Sequence, residues 1–253
     1  MGNKIFASTG DHGVFMTAGE NDWGSVGPFF TEGLDINAIE AIDRTIVIGT
    51  SRHGIFTTED EGKNWKHEPG ELDHIPVRCL FVAGENLLAG TDRGIYQSVD
   101  RGANWSHLYG NVQVNGFTQS GNDIYAAAVD GALLTNDLGA HWHYIYRPYT
   151  LHDISTDGSH VYAMTLGDGL LKTDNGGITW EHVNDGLGAS GFYTFEVKNL
   201  GNDLFAAQWD GIYRSADAGK NWALLKGGLP DSTAFMTLAI TQSGIVAGIG
   251  LRK

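Results

Sequence analysis

One octet returns five times along this chain. It reads TEDEGKNW at 58–65, SVDRGANW at 98–105, TNDLGAHW at 135–142, TDNGGITW at 173–180 and SADAGKNW at 215–222. A shortened form, TAGENDW, ends at Trp23. From Trp23 through Trp65, Trp105, Trp142, Trp180 and Trp222 the spacings are 42, 40, 37, 38 and 42 residues. A period near 40 is too short for a packed array of βαβ units and suits one four-stranded antiparallel sheet.

Each period divides the same way. VRCLFVAG, NLLAGTD, GIYQSVD and NWSHLYG are four short runs of β-favouring residues, separated by Gly, Asn and Asp turns. These are strands A to D, with the octet in the C–D hairpin. The runs are apolar rather than cleanly alternating, as expected of sheets packed on both faces. No helical period of useful length competes with them. The expected fold is therefore all-β, a single β-propeller domain over residues 1–253 with six four-stranded blades. Its ring closes because an open one would leave two blade faces in water. KIFAST, GVFMTA and the segment after Trp23 supply strands B, C and D of a shared blade, and MTLAIT (236–241) supplies its strand A. GIVAGIG (244–250) reads as a strand B too many, so it either competes with KIFAST or begins a seventh blade.

The pattern S/T-x-D-x-G-x-[TNH]-W resembles the Asp-box, or BNR, repeat of sialidases, xyloglucanase-type glycoside hydrolases, sortilin-type receptors and photosystem II assembly factors. Five octets fit it; the fifth blade unit carries Asn175 where the Asp belongs, and the first is degenerate. The resemblance spans essentially the whole chain and implies fold much more than function. It also implies that the octets lie away from the ligand face. Asp60, Asp100, Asp137, Asn175 and Asp217 are accordingly expected to be structural, accepting bonds from backbone N–H groups of their own turns, with the octet glycines supplying unusual dihedrals.

A formal charge of −14 without any Lys/Arg run argues against nucleic acid and against an anionic membrane surface. No window is long enough to span a membrane. The single cysteine, Cys79, excludes an internal disulfide and a CxxC metal site, and reads as a buried apolar residue. MGNKIFAST has no apolar h-region, so no signal peptide is expected there. The compartment stays open: cytoplasmic, or secreted or periplasmic if the start has been trimmed.

In propellers, ligands sit on the face of the B–C and D–A connections. The residues before the B–C glycines are His12, His53, Arg93, Asp130, Asp168 and Asp210, with Asp11 and Arg52 beside them. They predict a face polarised from basic to acidic, although Asp-Gly is also a favoured turn without a ligand. The first residues of strand A are read as Asn37, Arg78, Asn115, His152, Tyr193 and Met236, with Asp153 next to His152. HYIYRPYTLHD (143–153) adds Tyr146 in the densest aromatic stretch, and Trp209 stands outside the octets beside Asp210. Aromatic faces beside a few hydrogen-bonding groups suit a peptide or a sugar.

The enzyme readings are weaker. Arg52, Arg78 and Arg93 could hold a sialidase carboxylate, but the Arg-Ile-Pro motif is missing and no Tyr–Glu pair can be assigned. Xyloglucanase-type enzymes resemble two clamped propellers, and this chain supplies one. No nucleophile elbow is evident, and the spacing of His12, His53 and His152 demands no metal. The expectation is a monomeric binding propeller for a protein segment or a glycan, without catalytic residues, metal or cofactor. The alternative is a glycoside hydrolase using paired carboxylates on that face.

Overall fold

The computed structural model describes residues 4–9, 13–18, 22–27, 34–147, 149–188, 193–226, 229, 234–241 and 244–250. Among the described residues every regular element is a strand, so no helix there is long and apolar enough to cross a membrane. The fold is all-β, a six-bladed β-propeller.

Five sheets are complete four-stranded antiparallel blades. The first is β4 (Ile36–Ile42), β5 (Thr45–Thr50), β6 (His53–Thr58) and β7 (Lys66–Asp73). The second is β8 (Val77–Ala83), β9 (Asn86–Thr91), β10 (Gly94–Ser98) and β11 (Ser106–Tyr109). The third runs β12 (Val114–Ser120), β13 (Asp123–Ala128), β14 (Gly131–Thr135) and β15 (His143–Tyr146). The fourth runs β16 (Leu151–Thr156), β17 (Val161–Thr165), β18 (Leu170–Thr173) and β19 (Glu181–His182). The fifth runs β20 (Thr194–Leu200), β21 (Asp203–Gln208), β22 (Gly211–Ser215) and β23 (Ala223–Leu224).

The chain ends give β1 (Ile5–Thr9), β2 (Gly13–Thr17) and β3 (Gly24–Ser25) as a three-stranded sheet. They also give β24 (Ala234–Thr241) and β25 (Gly244–Gly250) as a two-stranded one. This settles where the surplus strand goes. GIVAGIG does not displace KIFAST: β25 pairs with β24 from Ala234↔Gly250 to Thr241↔Gly244, and β1 pairs with β2.

The chain forms two compact units, residues 1–116 with 138–140, and 117–137 with 141–253. In the first, Val47, Ile55, Leu72, Val77, Leu87 and Tyr96 pack together between successive sheets. In the second, Tyr162, Met164, Leu170, Val197 and Leu204 do the same with Tyr213 and Trp222. The inner strands β5, β9, β13 and β17 are buried almost throughout, which is why they read as continuous apolar runs.

The octets close their hairpins with one repeated bond set. Asp60 Oδ1 accepts from the Thr58 hydroxyl at 2.8 Å and the Asn64 N–H at 2.9 Å, while Oδ2 accepts from Asn64 Nδ2 at 2.7 Å. The Gly62 N–H donates back to Thr58 Oγ1 at 3.1 Å. Asp100 and Asp217 repeat this with Asn104 and Asn221. These bonds hold Asp60 and Asp217 down at about 2, the Asn64 and Asn221 amides contributing most, and hold Asp137 lower still. Asn175 reverses one polarity: its Oδ1 accepts from the Thr179 N–H at 3.0 Å, and its Nδ2 donates to Thr179 Oγ1 at 2.8 Å.

The expected role of the octet glycines needs widening. Not only Gly62, Gly102, Gly139, Gly177 and Gly219 have positive φ; so do the residues before them. Glu61, Arg101, Leu138 and Ala218 lie at φ 57–63°, and Gly176 at 69°. Two consecutive left-handed residues turn each hairpin.

Candidate functional site

In the second unit, the B–C turns of three blades project Asp130, Asp168 and Asp210. Close backbone contact fixes the first of these turns: Gly131 has φ 143°, and a Cβ there would meet the Tyr146 carbonyl at 2.0 Å. Each carboxylate has a defined partner. Both oxygens of Asp130 lie within reach of the Tyr144 hydroxyl, at 2.8 and 2.9 Å. Arg147 Nη2 stands 3.5 Å from Asp130, and its guanidinium carbon lies 3.5 Å over the Tyr144 ring. Asp168 is 3.1 Å from His182 Nε2 and accepts from the Tyr146 hydroxyl. Burial, together with the Asp168 charge, pushes the Tyr146 phenol up to about 12. Asp210 accepts from the Tyr213 hydroxyl at 3.1 Å, and Gly188 closes over the pair without room for a side chain.

Strand A contributes through a repeated irregularity. Opposite strand B, one residue of strand A is extra: Asn37, Arg78, His152, Phe195 and Met236 in β4, β8, β16, β20 and β24. Such a bulge breaks the alternation and re-aims the side chain. Phe195, not Tyr193, thus holds the place of His152, and Tyr193 lies one residue before β20. His152 meets Phe195 edge-on with ring centroids 5.6 Å apart, and Phe195 meets Trp209 edge-on at 5.0 Å. Burial lowers the His152 pKa and favours the neutral imidazole. The column ends on Trp209, 38% accessible, and Tyr193 is 50% accessible.

Asp153, next to His152 in β16, is raised to about 7 first by burial and then by the Glu196 charge. Glu196 is tied down by the Leu238 N–H, the Thr237 hydroxyl at 2.8 Å and Lys198 Nζ at 2.8 Å. Tyr146 stacks on Tyr149 at 6.3 Å and tilts against Trp180 at 5.5 Å, which makes it part of the packing between blades as well as a partner of Asp168.

In the first unit, Arg78 is committed to Asp92, its Nε donating to Oδ1. Asn37 donates to Ser51 Oγ and to the Val77 carbonyl, both at 3.0 Å. Arg52, His53 and Arg93 are exposed in their turns, where Thr50 and Thr91 hydroxyls cap the backbone of His53 and Arg93. Asp11 and His12 lie outside the described residues.

Sequence reasoning missed Phe195, His182, Tyr213 and Glu196, and counted Tyr144 only among the aromatics of the 143–153 stretch, not as the partner of Asp130. Tyr144 and His182 share a signal, since each stands two residues after an octet tryptophan. Phe195 would follow from counting the extra strand A residue against strand B.

No family model matches the chain, and no curated protein matches it. Among solved structures, YCF48 bound to D1 peptide superposes with a TM-score of 0.69 at 16% identity, over 92% of this chain and 84% of that one. The extracellular domain of a putative one-component system from B. thetaiotaomicron gives 0.75 at 16%, over 94% of this chain and 35% of that one. The GH74 xyloglucanase from Xanthomonas campestris gives 0.70 at 12%, over 98% of this chain and 49% of that one. This chain thus spans about a third and a half of the latter two. At such identities the likeness carries the fold alone, and the fold it carries is a β-propeller.

Proposed function

We propose that this chain is a non-catalytic binding propeller of the Asp-box superfamily, and that it holds a protein segment against the B–C turns and D–A connectors of residues 129–210. The single observation behind this is the aromatic column His152–Phe195–Trp209, which ends on the exposed Trp209 with Tyr193 also exposed. Edge-to-face contacts fix the rings before any ligand arrives, so binding loses little side-chain entropy. The turn acids Asp130, Asp168 and Asp210 are already bonded to phenols or imidazole, which suits orienting groups better than a general base. The structural likeness to a propeller bound to a peptide supports the choice of a protein segment over a glycan.

A glycoside hydrolase is the second reading, favoured by the proton-holding Asp153 beside Glu196 and by the likeness to a GH74 enzyme. Against it, Glu196 spends its oxygens on Leu238, Thr237 and Lys198.

A peptide array probed with the parent protein and with Trp209→Ala separates the two. The binding reading expects a discrete set of bound sequences that Trp209→Ala loses. Turnover of xyloglucan oligosaccharides that disappears in Asp153→Asn would replace it with the hydrolase.

A further inference from the structure

Two Asn-Gly steps occur in this chain, at Asn115 with Gly116 and at Asn175 with Gly176. In such a step no side chain shields the following amide nitrogen, so that nitrogen can attack the asparagine side-chain carbonyl. Ring closure needs Cβ to swing round toward it. Asn115 lies within β12, where pairing with β13 holds the backbone extended and opposes that swing. Asn175 is exposed in the C–D hairpin of the fourth blade, outside any ladder.

Both residues of the second step depart from the repeat. The other four octets carry aspartate at the place of Asn175, at Asp60, Asp100, Asp137 and Asp217. The same four carry a side chain at the first left-handed position, at Glu61, Arg101, Leu138 and Ala218, where this octet has Gly176. The two departures fall side by side and together compose the reactive pair. The bonds around the amide suit the chemistry. Asn175 Oδ1 accepts from the Thr173 hydroxyl at 2.9 Å and the Thr179 N–H at 3.0 Å, two donors on the oxygen where negative charge develops when the carbon is attacked. Nδ2, the leaving nitrogen, donates to Thr179 Oγ1 at 2.8 Å, a hydroxyl that can also give a proton. The Gly176 N–H donates to no described residue, whereas the Gly177 N–H is spent on Thr173 Oγ1 at 2.9 Å.

We propose that Asn175 is a modification site, deamidated within its own octet to aspartate. The Gly176 nitrogen bonds to Asn175 Cγ and gives its proton to solvent. The Cγ–Nδ2 bond breaks, and Nδ2 leaves as ammonia with a proton passed through the Thr179 hydroxyl. Water then opens the succinimide. Addition at Cγ restores the Gly176 N–H and yields aspartate; addition at the main-chain carbonyl yields isoaspartate. In sum, asparagine and water give the acid and ammonia, with no change of oxidation state. The octet selects between the two products. Aspartate fits the existing bonds once the Thr179 hydroxyl turns to donate, as Asp60 accepts from Thr58, the Asn64 N–H and Asn64 Nδ2. Isoaspartate threads an extra carbon into the main chain of the turn and pulls the Gly177 N–H off Thr173. None of this involves Trp209 or its column, so it stands or falls separately from the binding face proposed above.

The test is incubation of the folded chain at pH 8, then tryptic digestion and mass spectrometry of the peptide 173–198 against an unincubated sample. Electron-transfer fragmentation locates the acid and separates aspartate from isoaspartate. Aspartate should accumulate at position 175 with isoaspartate the minor product, while Asn115 and Asn184 stay amides. In guanidinium both Asn-Gly steps should convert, with isoaspartate the larger share. Gly176→Ala installs the residue that the fifth octet carries at φ 58° in Ala218, so it should fold, and conversion should be lost over the same incubation. Asn175→Asp should equal or exceed the parent Tm at pH 7. Asn175 left intact in the folded chain, isoaspartate as its main folded product, or undiminished conversion in Gly176→Ala would overturn the proposal, as would a lower Tm for Asn175→Asp.

Discussion

Trp222 and Val183 are 39 residues apart in the chain and are joined by one hydrogen bond, indole N–H to backbone carbonyl at 2.9 Å. The bond ties an octet to the sheet before it, and with Trp222 only 5% exposed it lies within a dry seam. This octet is thus a local turn and a long-range fastener together.

Trp222→Ala should cost about 3–5 kcal/mol, the usual range for deleting a buried aromatic. Urea denaturation followed by far-UV circular dichroism measures it. Trp222→Phe should recover most of the loss, but not the part due to the orphaned Val183 carbonyl.

Leu138→Gly should stabilise the protein by about 0.5–1 kcal/mol. Leu138 is half exposed at φ 57°, where an L-residue is strained and glycine is not. The fourth octet already has glycine there, at Gly176. A lower Tm in the variant would show that Leu138 contributes packing that outweighs the strain.

Acid should unfasten the octets. Asp60 and Asp217 are held at about 2 by amide and hydroxyl donors, below their ordinary value. A depressed carboxylate contributes stability that is present above its unfolded pKa and is lost as pH falls toward its folded one. The loss therefore runs from about pH 4 down to about 2. Asp60→Asn combined with Asn64→Thr rebuilds the first octet with the uncharged chemistry of Asn175 and Thr179. That double variant should fold and show a shallower acid limb in pH-titrated thermal melts.

Asp153 should act with the opposite sign. Its pKa is raised to about 7, so stability falls as pH rises from the ordinary carboxylate range through that value. Asp153→Asn keeps the shape and removes the charge. The variant should match the parent near pH 4 and exceed it in Tm at pH 8; equal melting curves at both pH values would show the acid to be solvated.

The repeat made the architecture legible because each complete blade spends similar residue types at nearly the same spacing on closing its C–D hairpin. Gly62, Gly102 and Gly219 stand in turns that few other residues could close, and the tryptophans have pockets to fill. The site was only half legible. Trp209, His152 and Asp153 stand out by type, but the column needs Phe195, whose position depends on an extra residue in β20 that alters register without marking composition. The partners of Asp130 and Asp210 were hidden for another reason. Tyr144 and Tyr213 lie on strands where aromatic residues are expected for packing, so nothing in the sequence separates a phenol that bonds a carboxylate from one that fills space.

The extra residue of strand A decouples two demands that usually conflict. Its neighbours keep the buried alternation that seats one sheet on the next, while Asn37, Arg78, His152, Phe195 and Met236 step out of that rhythm. A change at any of these five places alters a side chain that the buried alternation does not use, and leaves the scaffold's grammar intact. Descendants of such a chain can therefore vary what these places present, blade by blade, without renegotiating how they fold.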